Sequence, residues 1–315
     1  MKRSPAAAAR ALAQVALLVV LAGLAAACGG TRTDPILQLS AQEALARGKE
    51  LIEQKKYRRA QRYLEHAFEA APNSREGREA LLLSADALYL DGGSENFIRC
   101  ESKYRDFLNR FPTSDRADYA QLQIANCLAK RMEKPDRDQE VTRKALAAYE
   151  EMFRLYPTSP YLEEARQAAQ EVANNLAEAE YLVGHFYVRY RLCQAAIQRL
   201  EGIPQRFPAY HHPDKVLFFL AQAYAMCRRY DDSDEALRKL AADYPDSPYV
   251  KQVDKVRRKL EKLRRKQEKL DQERLKRRQQ FEARRAKKGE AAEGPDSREE
   301  AEREEDDKGG GGDGP

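Results

Sequence analysis

The sequence predicts an all-α fold, a solenoid of about five helical hairpins followed by a long charged C-terminal helix. The first observation is a recurring turn built on a proline, found at Pro72, Pro112, Pro157, Pro208 and Pro245. Each proline ends the helix before it, and in four of the five turns a serine two residues later can cap the next helix. The second observation is that apolar residues between these turns recur at helical spacing, with almost no β-branched alternation. The prolines are 37–51 residues apart, and sequence repeats of about this length are typical of stacked helix pairs.

The N-terminal segment indicates export from a bacterial cytoplasm. Lys2, Arg3 and Arg10 precede a small and apolar run over residues 11–27, which is shorter than the ~20 residues of a comfortable transmembrane helix. The run meets Cys28, and the small residues before it resemble the lipobox of bacterial lipoproteins, although Leu24 stands four residues before the cysteine rather than three. This resemblance implies a signal peptide over residues 1–27, acyl chains on Cys28, and a lipid-anchored protein. The alternative is an ordinary secreted protein in which Cys28 has no such role.

Residues 31–40 lack helical periodicity, so residues 28–40 are predicted to form a short lipidated tether. Residues 41–249 contain the predicted hairpins. Gly48, Tyr57, Ala60, Ala67 and Pro72 stand at spacings that resemble a tetratricopeptide repeat. Gly184, Tyr187 and Ala196 repeat part of this pattern before Pro208. The resemblance implies that small residues let the two helices of a hairpin, A and B, approach closely.

The fourth hairpin resembles a particular family. The segments 177–187 (AEAEYLVGHFY) and 195–202 (AAIQRLEG), followed by Arg206-Phe207-Pro208, are similar to the BamD family of lipoproteins, which belong to the outer-membrane β-barrel assembly machinery. The resemblance implies a scaffold without catalytic activity at the periplasmic face of the outer membrane. Its expected partners are the barrel subunit, signal segments of unfolded outer-membrane proteins, and the membrane through the lipid anchor. The rival hypothesis is a tetratricopeptide lipoprotein that serves as an adaptor for cell-envelope division or cell-wall enzymes.

Two binding sites follow from these resemblances. In tetratricopeptide solenoids the A helices line a concave face, which here implies a peptide groove formed by Gln42, Leu45, Lys49, Ile52, Leu82, Ala85, Tyr89, Leu122 and Ala125. Such a surface suits an extended segment with aromatic side chains and a terminal carboxylate near Lys49. The alternative is that several of these residues pack on neighbouring helices.

The second site is a partner contact at Arg199 and Glu201. These residues lie two positions apart on a helix, so they face different directions and do not pair with each other. The BamD resemblance implies that Arg199 reaches a carboxylate on the periplasmic domains of the barrel subunit. The alternative is a solvated charge.

Charge is distributed unevenly along the chain, whose net charge is +5. Residues 251–289 carry 18 basic and 6 acidic side chains, whereas residues 290–315 carry 3 basic and 11 acidic ones. A protein that binds nucleic acid usually carries positive charge on the folded surface that meets the phosphates. The uneven distribution of charge in this chain therefore disfavours a nucleic-acid partner. Residues 250–288 predict a basic helix whose base can pack on the last hairpin and whose remainder is solvated and held by pairs of Glu and Arg. The alternatives are a coiled-coil partner and contact with acidic lipid or lipopolysaccharide phosphate. The acidic, glycine-rich residues 289–315 predict a disordered tail.

No enzyme or metal site is expected. The four histidines are His66, His185, His211 and His212, and no pair stands at the i, i+4 spacing of a helical zinc site. The chain also lacks a nucleophile elbow and a phosphate-binding loop, so we expect neither a cofactor nor catalysis.

Helix geometry predicts two disulfide bonds. Cys100 lies 12 residues before Pro112 and Cys127 lies 15 after it, so on paired helices rising 1.5 Å per residue they stand at nearly the same level. Cys193 and Cys227 repeat this arrangement, 15 residues before Pro208 and 14 residues after Pro213. Because an exported protein meets an oxidising compartment, we expect bonds from Cys100 to Cys127 and from Cys193 to Cys227, with buried thiols as the alternative.

Overall fold

The computed structural model describes residues 34–292, with side chains to residue 285. A short 3-10 helix, Pro35–Gln38, precedes twelve α-helices within these residues. They are α1 (Ala41–Glu53), α2 (Tyr57–Ala70), α3 (Arg75–Asp91), α4 (Ser94–Arg110), α5 (Ala117–Ala129), α6 (Glu140–Leu155), α7 (Leu162–Arg189), α8 (Cys193–Glu201), α9 (Ile203–Arg206), α10 (Pro213–Met226), α11 (Tyr230–Asp243) and α12 (Val250–Ala292). The described residues contain no strand and successive helices pack on one another, so the predicted all-α fold class is confirmed.

Helix starts show which caps the sequence predicts correctly. Ser40 and Glu43 form a capping box at the start of α1, and the Ser74 hydroxyl accepts the amide of Gly77 at the start of α3. The later turn serines do not cap, because the helices after them begin three residues further along. Ser159 and Ser247 instead donate hydrogen bonds to Asp118 and Asp214, at 2.6 and 2.7 Å. These serines therefore tie each turn to the preceding A helix.

The chain divides between residues 173 and 174 into two compact units. The first unit has one core around α1–α3 and another that extends from α3 to the start of α7. Its largest fully buried side chains include Leu64, Tyr104, Phe107, Tyr149 and Met152.

The second unit also has two cores. Tyr181, Ile197, Leu200 and Val216 belong to the core formed by α7, α8 and α10. Phe218, Leu237, Leu240, Val253 and Leu260 belong to the core of α10, α11 and the first turns of α12. The base of α12 is therefore packed against the hairpin that precedes it.

Two glycines of the repeat pattern mark points of close helix approach. A Cβ atom built on Gly48 would lie 2.5 Å from Cδ2 of Leu64, and one on Gly184 would lie 2.5 Å from Cδ2 of Leu200. Both distances are far below van der Waals contact. The A and B helices of the first and fourth hairpins therefore require glycine at these positions, as the tetratricopeptide resemblance implies.

The limits of the segments differ from the predicted ones at both ends of the described chain. The second half of the predicted tether is packed rather than free, since Ile36 is buried, Asp34 pairs with Arg62 and the His66 ring contacts the Leu39 carbonyl. At the other end, α12 continues to Ala292, so residues 289–292 belong to the helix rather than to the predicted tail.

Several predictions fall outside the described residues. They are the signal peptide over residues 1–27, lipidation of Cys28, the start of the tether and the tail beyond residue 292. Between residues 34 and 292, no helix has the length and apolar character needed to cross a membrane.

Candidate partner-binding surfaces

Arg199 belongs to a cluster of three charged side chains in the second unit. Its Nη1 atom lies 3.2 Å from Oε2 of Glu180 on α7, and Nη1 of Arg206 lies 3.2 Å from Oε1 of the same carboxylate. The two arginine side chains are about half exposed, at 47% and 49%. This Arg199 cluster, consisting of Arg199, Arg206 and Glu180, therefore presents one excess positive charge at the surface.

Glu201 has a different environment from Arg199, as their spacing predicts. The Tyr224 hydroxyl on α10 donates to Oε1 of Glu201 at 2.9 Å, and the Arg229 guanidinium lies 4.4 Å from the centre of the Tyr224 ring. Burial, followed by the hydrogen bond to Glu201, raises the pKa of Tyr224 to about 12. Glu201 thus joins α8 to α10 within the chain.

A row of exposed apolar side chains lies beside the Arg199 cluster on α7. Val183 and Phe186 lie on α7 at positions i and i+3, Tyr190 at i+7 directly follows its last residue, and Leu192 lies in the turn; we call these four residues the aromatic patch. Phe186 is 50% and Tyr190 63% exposed, and their rings lie 4.4 Å apart. The patch is opposite the buried row that includes Tyr181 and Val188, because α7 packs its other face into the core.

The aromatic patch was not identified in the sequence, although its signal is present there. Apolar residues at i, i+3 and i+7 normally indicate the buried stripe of a helix. On α7 a second stripe through Ala177, Tyr181 and Val188 already supplies the core contacts. A helix packs only one of its faces into a core. When a helix has two apolar stripes, the second stripe is therefore expected to be exposed.

The prediction of a peptide groove is wrong for most of its residues, because they are not at the surface. Five of its residues are buried between helices of the first unit, namely Leu45, Leu82, Ala85, Leu122 and Ala125. The assignment failed because position within a repeat fixes the direction of a side chain but not how closely the next hairpin covers it. The residues that retain surface are Gln42, Lys49, Ile52 and Tyr89.

The remaining groove residues already have neighbours in the chain. Lys49 pairs with Glu79, with Nζ 2.6 Å from Oε1. Tyr89 packs edge-on against Phe97 with ring centres 5.8 Å apart, and burial raises its pKa, with Glu164 adding to the rise. The surface that a peptide could contact is therefore confined to Lys49, Ile52 and Tyr89, with Gln42 at its margin.

The cysteines are paired as helix geometry predicts. Cys100 is bonded to Cys127 in the first unit and Cys193 to Cys227 in the second, with Cα separations of 6.5 and 5.6 Å. Both separations lie within the range of disulfides. Cys100 and Cys127 are buried, whereas Cys193 and Cys227 are partly exposed.

A half-buried carboxylate joins three helices of the first unit. Asp86 on α3 accepts hydrogen bonds from Tyr104 on α4 and from Tyr119 on α5, the latter at 2.7 Å. Burial raises the pKa of Asp86, and the two hydrogen bonds partly oppose this rise. The arrangement holds successive hairpins in register.

The histidines have structural contacts. The His185 ring packs against Tyr181 and Phe219, at 5.7 and 4.4 Å between ring centres, and burial lowers its pKa. His211 contacts the amide of Asn174. Within the described part of the chain, no group of three or more His, Cys, Asp or Glu residues could hold a metal ion.

Comparison with known proteins places these surfaces in a family. A family model described as outer membrane lipoprotein (YfiO) matches residues 38–236. The chain belongs to this family. The match includes both the Arg199 cluster and the aromatic patch, and it ends before α12 begins.

Curated relatives are named outer membrane protein assembly factor BamD. The chain is 26% identical over 209 residues to the BamD protein of Caulobacter vibrioides, and the aligned segment covers 65% of this chain and 68% of the relative. It is 25% identical over 250 residues to that of Neisseria meningitidis serogroup B, covering 75% and 93%. The BamD resemblance seen in the sequence is thus confirmed.

Among solved structures, the chain is similar to the TPR2AB domain of yeast Sti1 in complex with pHSP90. The TM-score is 0.39 at 17% identity, and the match covers 66% of this chain and 78% of the other.

Proposed function

We propose that this protein is a lipid-anchored scaffold on the periplasmic face of the outer membrane that assists the assembly of outer-membrane proteins. The names of its relatives support the assembly role, and the lipoprotein family supports the anchor, for which Cys28 is the attachment site. The scaffold binds the barrel subunit through its second unit and signal segments of unfolded outer-membrane proteins through its first. Neither task requires catalysis.

The single observation that carries the proposal is the Arg199 cluster beside the aromatic patch, both within the segment that matches the family. An exposed ion pair contributes only about 0.2–1 kcal/mol. Arg199 can therefore leave Glu180 for a carboxylate of the barrel subunit at small cost, while Arg206 remains on Glu180. Phe186 and Tyr190 supply the apolar contact area that interface centres require.

For the client segment, the proposal is limited to the surface around Lys49, Ile52 and Tyr89. Lys49 is held by one carboxylate, and the phenol of Tyr89 has no hydrogen-bond partner among the described residues. A terminal carboxylate could bind Lys49, and an aromatic side chain could stack beside Tyr89. The contact area is small, so this site is expected to bind weakly by itself.

Co-purification with Arg199→Glu tests the partner contact. Removing one partner of an interfacial ion pair costs about 2–5 kcal/mol, so recovery of the barrel subunit should fall about 30-fold or more. Arg238→Glu is the matched control, because Arg238 is an exposed arginine of the same unit with one ion pair, to Asp234. If solubilised membranes yield cell-wall synthases with the wild type and no barrel subunit, the proposed function fails and the adaptor hypothesis replaces it.

A peptide-binding measurement tests the client surface separately. Lys49→Ala combined with Tyr89→Ala should weaken binding of a barrel-signal peptide and leave co-purification of the barrel subunit unchanged. Lys144→Ala is the control, since Lys144 is another first-unit lysine with one carboxylate partner, Glu140. Equal peptide affinity in the double variant and the wild type would remove this surface from the proposal.

A further inference from the structure

The α12 helix has a strongly basic face that is not used by the fold. At about 100° per residue, six lysines fall within a sector of about 100° around the helix axis. They are Lys255, Lys259, Lys262, Lys266, Lys269 and Lys276, and we call them the basic face. All six are exposed, and among the described residues none has a carboxylate oxygen within the 4.0 Å that defines an ion pair.

The opposite side of α12 carries the apolar residues that pack on the protein and the arginines that form ion pairs with it. Val253 and Leu260 are buried in the core shared with α11. Arg257 and Arg264, on the same side, pair with Asp234 and Asp231 of α11 at 2.7 and 2.5 Å. The basic face therefore points away from the hairpin that holds the helix.

An exposed apolar row runs along one edge of the basic face. Leu263, Leu270 and Phe281 lie within about 20° of each other around the helix and are 38%, 42% and 67% exposed. Their exposure increases along the helix, away from α11. A helix that presents cations beside apolar side chains is typical of a surface that lies on a membrane.

We propose that the basic face and the apolar row of α12 bind the anionic surface of a phospholipid bilayer. The lysines would contact lipid phosphates, and the leucines and Phe281 would enter the headgroup region. Each lysine near an anionic surface strengthens binding about fivefold, and salt weakens this attraction. The inference rests on the proposed function in one respect, namely that the lipid anchor at Cys28 holds the chain close to a bilayer.

Two other occupants fit the observations less well. Residues 293–315 carry ten acidic and three basic side chains, so they complement the basic face in charge. They contain no large apolar side chain, however, and would leave the apolar row uncovered. A coiled-coil partner would need a continuous seam, but Gln267, Arg274 and Arg277 interrupt it.

The chain has no tryptophan, so a single introduced one reports on α12 alone. The full-length lipidated protein with Leu270→Trp is reconstituted into vesicles that contain phosphatidylglycerol or only phosphatidylcholine, with and without brominated acyl chains. In phosphatidylglycerol vesicles we expect a blue shift of the emission and quenching by brominated lipid. Gln272→Trp is the positional control, because residue 272 is exposed, lies about 160° around the helix axis from Leu270 and should remain unquenched.

Charge variants in the Leu270→Trp background complete the experiment. Replacing Lys262, Lys266 and Lys269 by glutamine should abolish the quenching. Replacing Arg99, Lys130 and Arg143 by glutamine changes the net charge equally on exposed residues of the first unit, and quenching should persist.

Three results would overturn the proposal. They are no quenching of Leu270→Trp on vesicles that carry the protein, equal quenching of Gln272→Trp, and quenching that appears only after residues 293–315 are deleted. The last result would assign the basic face to the tail. Failure of the lipid anchor is distinguishable, since the protein would then not float with vesicles made only of phosphatidylcholine.

Discussion

Removal of the disulfide in the second unit has an effect that can be worked from the structure. Cys193 and Cys227 are 34 positions apart in sequence, and their Cα atoms lie 5.6 Å apart. By the chain-entropy relation, a cross-link of this length lowers the entropy of the unfolded chain enough to stabilise the fold by about 3–4 kcal/mol. Because both cysteines are partly exposed, alanine at these positions leaves little cavity. Cys193→Ala with Cys227→Ala should therefore lower the free energy of unfolding of the second unit by about this amount.

Urea unfolding followed by far-ultraviolet circular dichroism measures this loss. Wild type that is reduced while folded and freed of reductant before urea is added is the matched control, and it should reproduce the stability of the double variant. The second disulfide provides a contrast, because Cys100 and Cys127 are buried and should resist reductant while the protein is folded. Four thiols alkylated in protein unfolded without reductant would refute the reasoning, and so would equal stability of the double variant and the oxidised wild type.

Three further outcomes are expected. Gly184→Ala should lower the free energy of unfolding by about 1–3 kcal/mol, because the new methyl group would collide with Leu200; a urea transition at the wild-type midpoint would contradict this. Burial raises the pKa of Asp86, so the stability that this residue contributes is fully present below the ordinary aspartate pKa of about 3.8 and is lost as the pH rises through the folded-state pKa. Wild type should accordingly gain stability relative to Asp86→Asn on acidification, and a pH-independent difference would refute the sign. Cys28→Ala should release the protein from membranes washed with high salt, which also weakens the attraction of the α12 lysines; equal incorporation of labelled palmitate by variant and wild type would contradict this.

The elements of the fold were predictable because their signals are local. Each proline stops a helix through the geometry of its own ring, and Gly48 and Gly184 stand where two helices of one hairpin must touch. The pairing of Cys100 with Cys127 also follows from positions along neighbouring helices. None of these inferences requires knowledge of distant parts of the chain.

The surfaces were less predictable because exposure depends on packing between hairpins. Leu82 and Leu122 have repeat positions typical of a concave face, yet the next helices bury both. Phe186 shows the reverse case, since an apolar residue on a helix suggests a core contact but this one faces outward. Likewise, the pairing of Arg199 with Glu180 depends on how α8 crosses α7 at Gly184, which spacing along one helix does not specify.

Site-specific photocrosslinking from the aromatic patch tests the central claim most directly. A photoreactive residue in place of Phe186 is compared with one in place of Ser102, an exposed position on α4 of the first unit, and the crosslinked proteins are identified by mass spectrometry from intact cells. We expect position 186, and not position 102, to crosslink to an outer-membrane barrel protein with periplasmic domains, and Arg199→Glu to abolish the product. Crosslinks from position 186 to cell-wall enzymes alone, or none that depend on Arg199, would contradict the account.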